Sequence, residues 1–251
     1  MTPAAPETLA RHGLSTRVLH ALDAVAIIVL IISGLALGDV LTQRMAALLG
    51  GHVAVDATHR ALGLAFVLVW VLLVLALPNR LGRLLRDSLQ FRRREWRWPL
   101  DFLRFYLRPS RYRAPAHGGR FDPAQRVVFV GIIAAVALAG ASGVYLYLTP
   151  PLGRTMLVAA IRLHIASAWL LIACLCVHIL AGSGLLHTHR GVIRAMFGDG
   201  RVKFALACTL WPAWARRQAD ADSPTPHGTE TNREEPPRVA PGATGGGDKS
   251  S

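Results

Sequence analysis

Four long apolar runs constrain this chain more than any other feature of its sequence. They extend over about residues 18–37, 61–77, 127–148 and 157–186. A transmembrane α-helix needs about 17 to 25 predominantly apolar residues to cross the hydrocarbon core. The runs also explain a hydrophobic content of 52%, which is high for a soluble domain. The sequence therefore predicts an all-α membrane protein folded as a four-helix transmembrane bundle.

The distribution of arginine predicts the orientation of this bundle. Thirteen arginines lie between residues 79 and 126, whereas residues 38–58 contain one and residues 149–163 contain two. Because positively charged loops stay on the cytoplasmic side, we expect the middle loop and both termini to be cytoplasmic. Topology and affinity for anionic lipid thus account for the net charge of +13, and we expect no nucleic-acid partner.

The remaining segments differ in composition and hence in expected structure. Residues 1–15 are polar and expected to be flexible, and residues 79–122 interleave aromatic and basic side chains, which is typical of a segment at the membrane interface. Residues 206–217 are expected on the membrane surface, and residues 218–251 have the composition of a disordered tail. The bundle itself is predicted over residues 16–205, with helices at about 16–37, 58–78, 123–148 and 157–187.

Four histidines lie within or at the start of the apolar runs, where ionisable side chains are rare and commonly functional. His164 and His178 are fourteen residues apart, so they share one face of the fourth helix and lie about 21 Å apart along its axis. They therefore belong to two levels of the membrane. His20 begins the first helix from the cytoplasmic side, and His59 begins the second from the outer side.

Matching depths predict two pairs, His20 with His178 at the inner level and His59 with His164 at the outer level. Two imidazoles on either side of a haem iron leave no position for oxygen or substrate, which suits electron transfer. We interpret the pairs as axial ligands of two b haems. Any one of the histidines taken alone is better explained as a hydrogen-bond partner between helices, and a proton relay or a non-haem metal is the alternative for the set.

Three arginines lie close to these histidines in the sequence. Arg17, Arg60 and Arg162 are interpreted as partners of the haem propionates. Positive-inside anchoring explains Arg17 equally well, but it does not explain the two outer arginines. The other histidines fall in loops or tails and are expected at the solvated surface, although His187 and His189 are placed where they could help a proton reach the inner level.

Several short motifs accompany the four histidines. Arg17-x-x-His20 opens the first helix, and Ser33-Gly34 lies near its end. Phe121-Asp-Pro-x-Gln125 precedes the third helix, and Ser142-Gly143 lies near its close. With these motifs, residues 15–205 resemble the bacterial cytochrome b561 and nickel-hydrogenase cytochrome b superfamily, and most closely its formate dehydrogenase gamma-subunit branch.

The resemblance implies a function in a respiratory complex of the bacterial inner membrane. The family's gamma subunit holds two b haems and carries electrons from an iron–sulfur subunit, which is joined to a catalytic molybdenum or nickel subunit, to quinone. Quinone reduction is then this chain's only chemistry.

The resemblance also implies that Asp122, Gln125 and His178 form the quinone site. Asp122 stands where the family has asparagine, and Ala21 stands where the family often has tryptophan. Asp122-Pro123 is equally typical of an ordinary helix start.

Two other functions remain open from the sequence. A stand-alone cytochrome b561 would have the same haem ligands and would accept electrons without partner subunits. A transporter with a histidine proton pathway would use the same intramembrane histidines without haem. The sequence does not reveal the primary electron donor or the quinone type, because that chemistry belongs to other molecules.

Overall fold

A computed structural model describes residues 6–38, 40, 43–91, 93–108, 110–113, 115, 117–148 and 153–222. Within them, four helices are long and apolar enough to cross a membrane, which confirms the predicted all-α four-helix bundle. In chain order the elements are β1 (Thr8–Ala10), α1 (Leu14–Leu37), α2 (Gln43–Leu48), α3 (Gly51–Ala76), α4 (Pro78–Leu89), α5 (Trp98–Leu107), α6 (Pro123–Leu148), α7 (Arg154–Gly182), α8 (Arg194–Phe197), β2 (Arg201–Lys203), α9 (Phe204–Leu210) and α10 (Pro212–Asp222), with 3-10 helices at Arg93–Arg97 and His187–His189.

The membrane-spanning helices α1, α3, α6 and α7 alternate in direction. The end at which α1 and α6 begin carries both terminal segments and the arginine-rich segment, and we call it the basic end. Large side chains on the outside of the spans, such as Val25, Leu68 and Val177, are about half exposed or more in the isolated chain. Such apolar surface is stable against lipid rather than water, so the chain is a multi-pass membrane protein.

Two of the four spans differ from the predicted bounds. Helix α3 begins at residue 51 rather than near 58, because helical backbone continues past the apolar run into a turn that includes His52 and Asp56. Helix α7 ends at residue 182 rather than near 187. Gly184 adopts a φ of +79°, a left-handed conformation that ends a helix and favours glycine.

The arginine-rich segment contains more regular structure than its composition suggests. Helix α4 carries Arg83 and Arg86 one turn apart on the same side, and the 3-10 helix leads into α5. Trp98 is buried at the start of α5, where its indole N–H donates to the Pro115 carbonyl at 2.9 Å and its ring stacks on Phe102. The predicted interfacial segment is thus folded on itself by specific contacts of one buried tryptophan.

The expectation of a flexible N-terminus is wrong for residues 8–10. Strand β1 pairs antiparallel with β2, with Leu9 opposite Val202, and both of these side chains are almost fully buried. The reason is non-local: β2 lies almost 200 residues away, so no local pattern could predict the pairing. Residues 1–5 lie outside the described residues.

The C-terminal segment is more structured than its composition suggests. Residues 206–217, predicted at the membrane surface, form parts of α9 and α10, whose Trp211 and Trp214 are buried against the strands. We call β1, β2, α9 and α10 the terminal cluster. Helix α10 continues to Asp222, so the predicted tail begins later than residue 218. Residues 223–251, where we predicted disorder, lie outside the described residues.

Candidate functional site

The inner pair of histidines meets between the first and last spans. His20 on α1 and His178 on α7 have ring centres 6.1 Å apart, with ring planes at 45°. Phe197 packs edge-on against His20, with ring centres 5.5 Å apart. The Nδ1 atom of His20 is buried and has no hydrogen-bond partner among the described residues. The two rings therefore face each other without competing bonds at that nitrogen.

The outer pair has the same separation. His59 on α3 and His164 on α7 have ring centres 6.1 Å apart, with ring planes at 82°. A metal ion bonded to one nitrogen of each ring at about 2 Å would place the ring centres about 6 Å apart. The structure thus brings together both pairs that depth predicted, at a spacing that suits a shared iron.

Hydrogen bonds at the outer level determine which ring nitrogen is available. The Ser33 hydroxyl donates to the Val29 carbonyl at 2.7 Å, so it must accept the bond from His59 Nδ1 at 2.9 Å. His164 Nδ1 lies 3.0 Å from the Ala139 carbonyl, which can only accept. Both rings therefore carry their proton on Nδ1 and present the lone pair of Nε2, the form that binds a metal.

A cavity of about 490 Å³ opens beside the outer pair, within the range typical of cofactor sites. Its walls are mostly apolar. Gly34 and Gly143 lie directly beside the histidine rings, where an added Cβ would come within 3.3 Å of His59 and 3.2 Å of His164. Gly140 lets α6 approach Val67 on α3. An apolar cavity with glycine walls and two available imidazole nitrogens fits a flat macrocycle.

A family comparison identifies the protein class. The family model described as prokaryotic cytochrome b561 matches residues 11–199, which is more than half of the chain. The chain belongs to this family. A search of the curated proteins finds no match. Membership in the cytochrome b561 family implies that the protein binds haem b and transfers electrons in a membrane.

The three arginines near the histidines occupy different environments in this cytochrome. Arg60 lines the outer cavity and pairs with Asp56 at 2.9 Å. Arg17 instead donates to the backbone carbonyls of Met196 and Gly198. Arg162 is exposed, and it lines a shallow groove with Arg154 rather than the outer cavity. Of the predicted propionate partners, Arg60 is the one that the structure places at the cavity.

The predicted quinone loop lies at the basic end, immediately before α6. Asp122 accepts a hydrogen bond from the Gln125 backbone N–H at 2.8 Å, which is the geometry of a helix N-cap followed by proline. Burial raises the pKa of the Asp122 carboxyl. The Gln125 side-chain oxygen is buried and unpaired among the described residues. The structure describes no contact that joins this loop to His178.

Two arginines hold the predicted quinone loop in place. Arg126 donates to the Phe121 carbonyl at 3.0 Å and pairs with Glu95, and both side chains of this ion pair are buried. Arg11, from the end of β1, donates to the Arg120 carbonyl at 2.8 Å. The loop backbone is therefore held from both sides by guanidinium groups.

Sequence reasoning assigned no role to several residues around the site. The hydroxyls of Ser33 and Ser142 contact His59 and His164 of the outer pair, and the Ser-Gly dipeptide near the end of each helix was a signal of that role. Asp23 is an acid within the first span, and it accepts a hydrogen bond from the Trp70 indole at 3.1 Å. An ionisable residue in an apolar run should itself have drawn attention.

Two loop histidines contradict the expectation of a solvated surface. His117 and His189 are less than a tenth exposed. His117 packs edge-on against Trp98, and His189 packs edge-on against Phe102. Both lie in electrostatic range of Asp122. The aromatic residues of the arginine-rich segment cover these histidines, so sequence position alone could not predict their burial.

Proposed function

We propose that this cytochrome is the membrane-anchoring gamma subunit of a respiratory dehydrogenase, most closely of the formate dehydrogenase type. It takes electrons from an iron–sulfur subunit, which is linked to a catalytic molybdenum or nickel subunit, and delivers them through two b haems to quinone. Its place is the bacterial inner membrane, with both termini cytoplasmic. The observation that carries the proposal is the presence of two histidine pairs of equal spacing at two levels of one bundle.

The residues of the chain hold two haems at a fixed distance from each other. Because His164 and His178 lie on one helix about 21 Å apart along its axis, the two haem levels span most of the membrane. Each haem supplies the ability to accept and release one electron. Ser33 and the Ala139 carbonyl fix the outer ring orientations, and the apolar cavity walls exclude water.

Electron entry and proton uptake occur on opposite sides in this proposal. Electrons enter at the outer pair, and quinone is reduced beside His178 with protons taken from the basic end. Charge separation of this kind stores about 2.3 kcal/mol per charge at 100 mV. Asp122 and Gln125 supply polar groups for the quinone at that end, and Asp122 keeps its capping role for α6.

The test is a haem count on the purified full chain and on two variants. We expect two b haems per chain in reduced-minus-oxidised spectra, and one each in His59→Ala and His178→Ala. His52→Ala is the matched control, because His52 is exposed at the start of α3 and should leave both haems in place. A parent chain with one haem or none would refute the two-level arrangement.

Co-purification separates the gamma subunit from a stand-alone cytochrome. The native complex, extracted in mild detergent, should contain iron–sulfur and molybdenum or nickel subunits. A protein that elutes alone with both haems and still reacts with quinone would favour the stand-alone cytochrome b561.

A further inference from the structure

Three histidines pack on aromatic residues of α5 at the basic end, and the carboxyl of Asp122 lies within electrostatic range of two of them. We call His117, Asp122, His187 and His189 the polar cluster. Asp122 has both His117 and His189 within electrostatic range, and His189 has His187. Polar groups with little exposure are normally satisfied by hydrogen bonds or perform a function. The cluster lies next to the loop that the proposed function assigns to quinone.

The bonding of His117 leaves a proton-accepting site. Its Nε2 lies 2.7 Å from the Leu210 carbonyl, which can only accept, so Nε2 carries the proton of the neutral ring. The lone pair then lies on Nδ1, which is buried without a hydrogen-bond partner among the described residues. A second proton can therefore bind His117 only at Nδ1, and Asp122 lies close enough to stabilise the resulting charge.

The two histidines of the 3-10 helix connect the cluster to water. His187 is exposed, and its ring stacks on Tyr106 with centres 4.6 Å apart. His189 is buried two residues later, with its Nδ1 2.9 Å from the Thr188 hydroxyl. One short turn thus places a solvent-facing imidazole beside a buried one, and the buried one interacts with Asp122.

The arginines that face the polar cluster are bound to other groups, so they do not take up or release the protons of the cluster. Arg126 faces both Asp122 and His117, but Glu95 neutralises it through their buried ion pair. Arg11 also faces Asp122, and Arg11 is held by the Arg120 carbonyl and by the rings of two tryptophans. The titratable members that remain are the three histidines and one carboxyl.

Burial brings the proton affinities of these groups closer together. It lowers the pKa of His117 and of His189, and it raises the pKa of Asp122. Proton transfer between a donor and an acceptor is most efficient when their pKa values are similar and near the working pH.

We propose that the polar cluster is a proton relay for the quinone site, with His187 as its entry from water and Asp122 as its last carrier. This inference rests on the proposed function. Reduction of one quinone to quinol consumes two electrons, which come from the iron–sulfur partner, and two protons. For each proton, the O–H bond of Asp122 breaks and an O–H bond forms on a quinone oxygen. The carboxylate is then reprotonated from His189, and His189 from water through His187, while the unpaired Nδ1 of His117 is a second site that can accept a proton.

The relay is tested in the reverse direction on the haem-loaded full chain, without partner subunits. Decylubiquinol is mixed with the oxidised protein, and haem absorbance is followed between about pH 5.5 and 8.5. Quinol oxidation releases protons, so the parent rate should rise with pH as the relay groups become able to accept them. In His189→Gln the rate should fall about tenfold and should no longer depend on pH. Added imidazole should restore part of the lost rate. His187→Gln should show a smaller decrease of the same kind.

His52→Gln is the matched control, because it makes the same change at an exposed histidine of the other end and should behave as the parent. If His189→Gln loses haem, the His187→Gln variant tests the relay in its place. His187 is exposed, so the only packing contact that its replacement removes is the ring stacking on Tyr106. Parent-like rates and pH profiles in both variants would overturn the relay and leave the proposed function standing. A haem-loaded parent that decylubiquinol does not reduce would overturn the quinone function and the relay together.

Discussion

At the residue scale, the outer site depends on groups that orient the histidines. Ser33 and Ser142 are buried, and each hydroxyl also donates to a carbonyl of its own helix. A serine that is fixed in this way can only accept from an imidazole, so it selects the ring form that presents Nε2. Hydroxyls of this kind are as much part of a haem site as the ligands are.

Replacing Ser33 by alanine tests this orientation. His59 would lose its bond from Nδ1, and groups that orient metal ligands typically contribute about 10-fold to 100-fold in affinity. We expect Ser33→Ala to release its outer haem faster to an acceptor such as apomyoglobin, while the inner haem is unaffected. Ser167→Ala is the control, because Ser167 is a buried serine that donates to its own helix at 2.6 Å and has no hydrogen bond to a histidine among the described residues. Equal haem loss in both variants would contradict the role of Ser33.

At the element scale, a polar bond joins the first two spans. Trp70 on α3 donates to Asp23 on α1, inside the apolar length of both helices. A carboxyl in hydrocarbon is costly without a partner, and such residues generally face the bundle interior. The bond fixes the axial position of α1 against α3, and these helices carry His20 of the inner pair and His59 of the outer pair.

Removing the indole donor should weaken the contact between α1 and α3. Hydrogen bonds between membrane helices contribute about 0.6 to 2 kcal/mol. We expect Trp70→Phe to lower the free energy of unfolding in mixed micelles by about this amount. In an Asp23→Leu background the same substitution should cost less, because the acceptor is already gone. Identical losses in both backgrounds would show that the two side chains are not coupled.

At the scale of the whole molecule, the basic end joins distant parts of the chain. β1 pairs with β2, Arg17 donates to backbone carbonyls at the end of α8, and His117 donates to the last residue of α9. The terminal cluster therefore holds the predicted quinone loop through contacts between the N-terminal, middle and C-terminal segments. The imidazoles of His12, His117 and His189 lie around this cluster and are held in the neutral form, since burial lowers the pKa of His12 to about 4 and lowers the pKa values of His117 and His189.

Lowering the pH should destabilise the terminal cluster before it destabilises the membrane-spanning helices. Each of these histidines has a lower pKa folded than unfolded, so its contribution to stability is present above about pH 6.5 and is lost as the pH falls towards the folded pKa. Asp122 has a raised pKa and acts in the opposite direction, but it is one group against three. Amide exchange in β1 and β2, corrected for intrinsic rates, should be about tenfold less protected at pH 5 than at pH 7.

The acid response has its own control in His12→Gln, which cannot take up the proton. This variant should lose less protection between the two pH values than the parent. Equal loss in both proteins would mean that His12 is not responsible, and unchanged strands at pH 5 would contradict the burial of neutral imidazoles altogether.

The spans were predictable because hydrocarbon imposes a simple requirement on sequence. A span must be apolar over about 20 residues, so α1 and α6 were located to within two residues. The pairing of the four histidines followed for the same reason, since helix direction and a rise of about 1.5 Å per residue assign each histidine a depth. Membership of the cytochrome b561 family was likewise visible in the histidines and short motifs.

The sequence by itself determined the class of the protein, the number of its spans and the depth of its histidines, because these depend on local composition and helical geometry. Only the tertiary structure decided the strand pairing of Leu9 with Val202, the burial of His117 and His189, and the serine bonds that orient the outer imidazoles. Each of these joins side chains from different elements, and whether such groups meet depends on packing of the whole chain rather than on any local pattern.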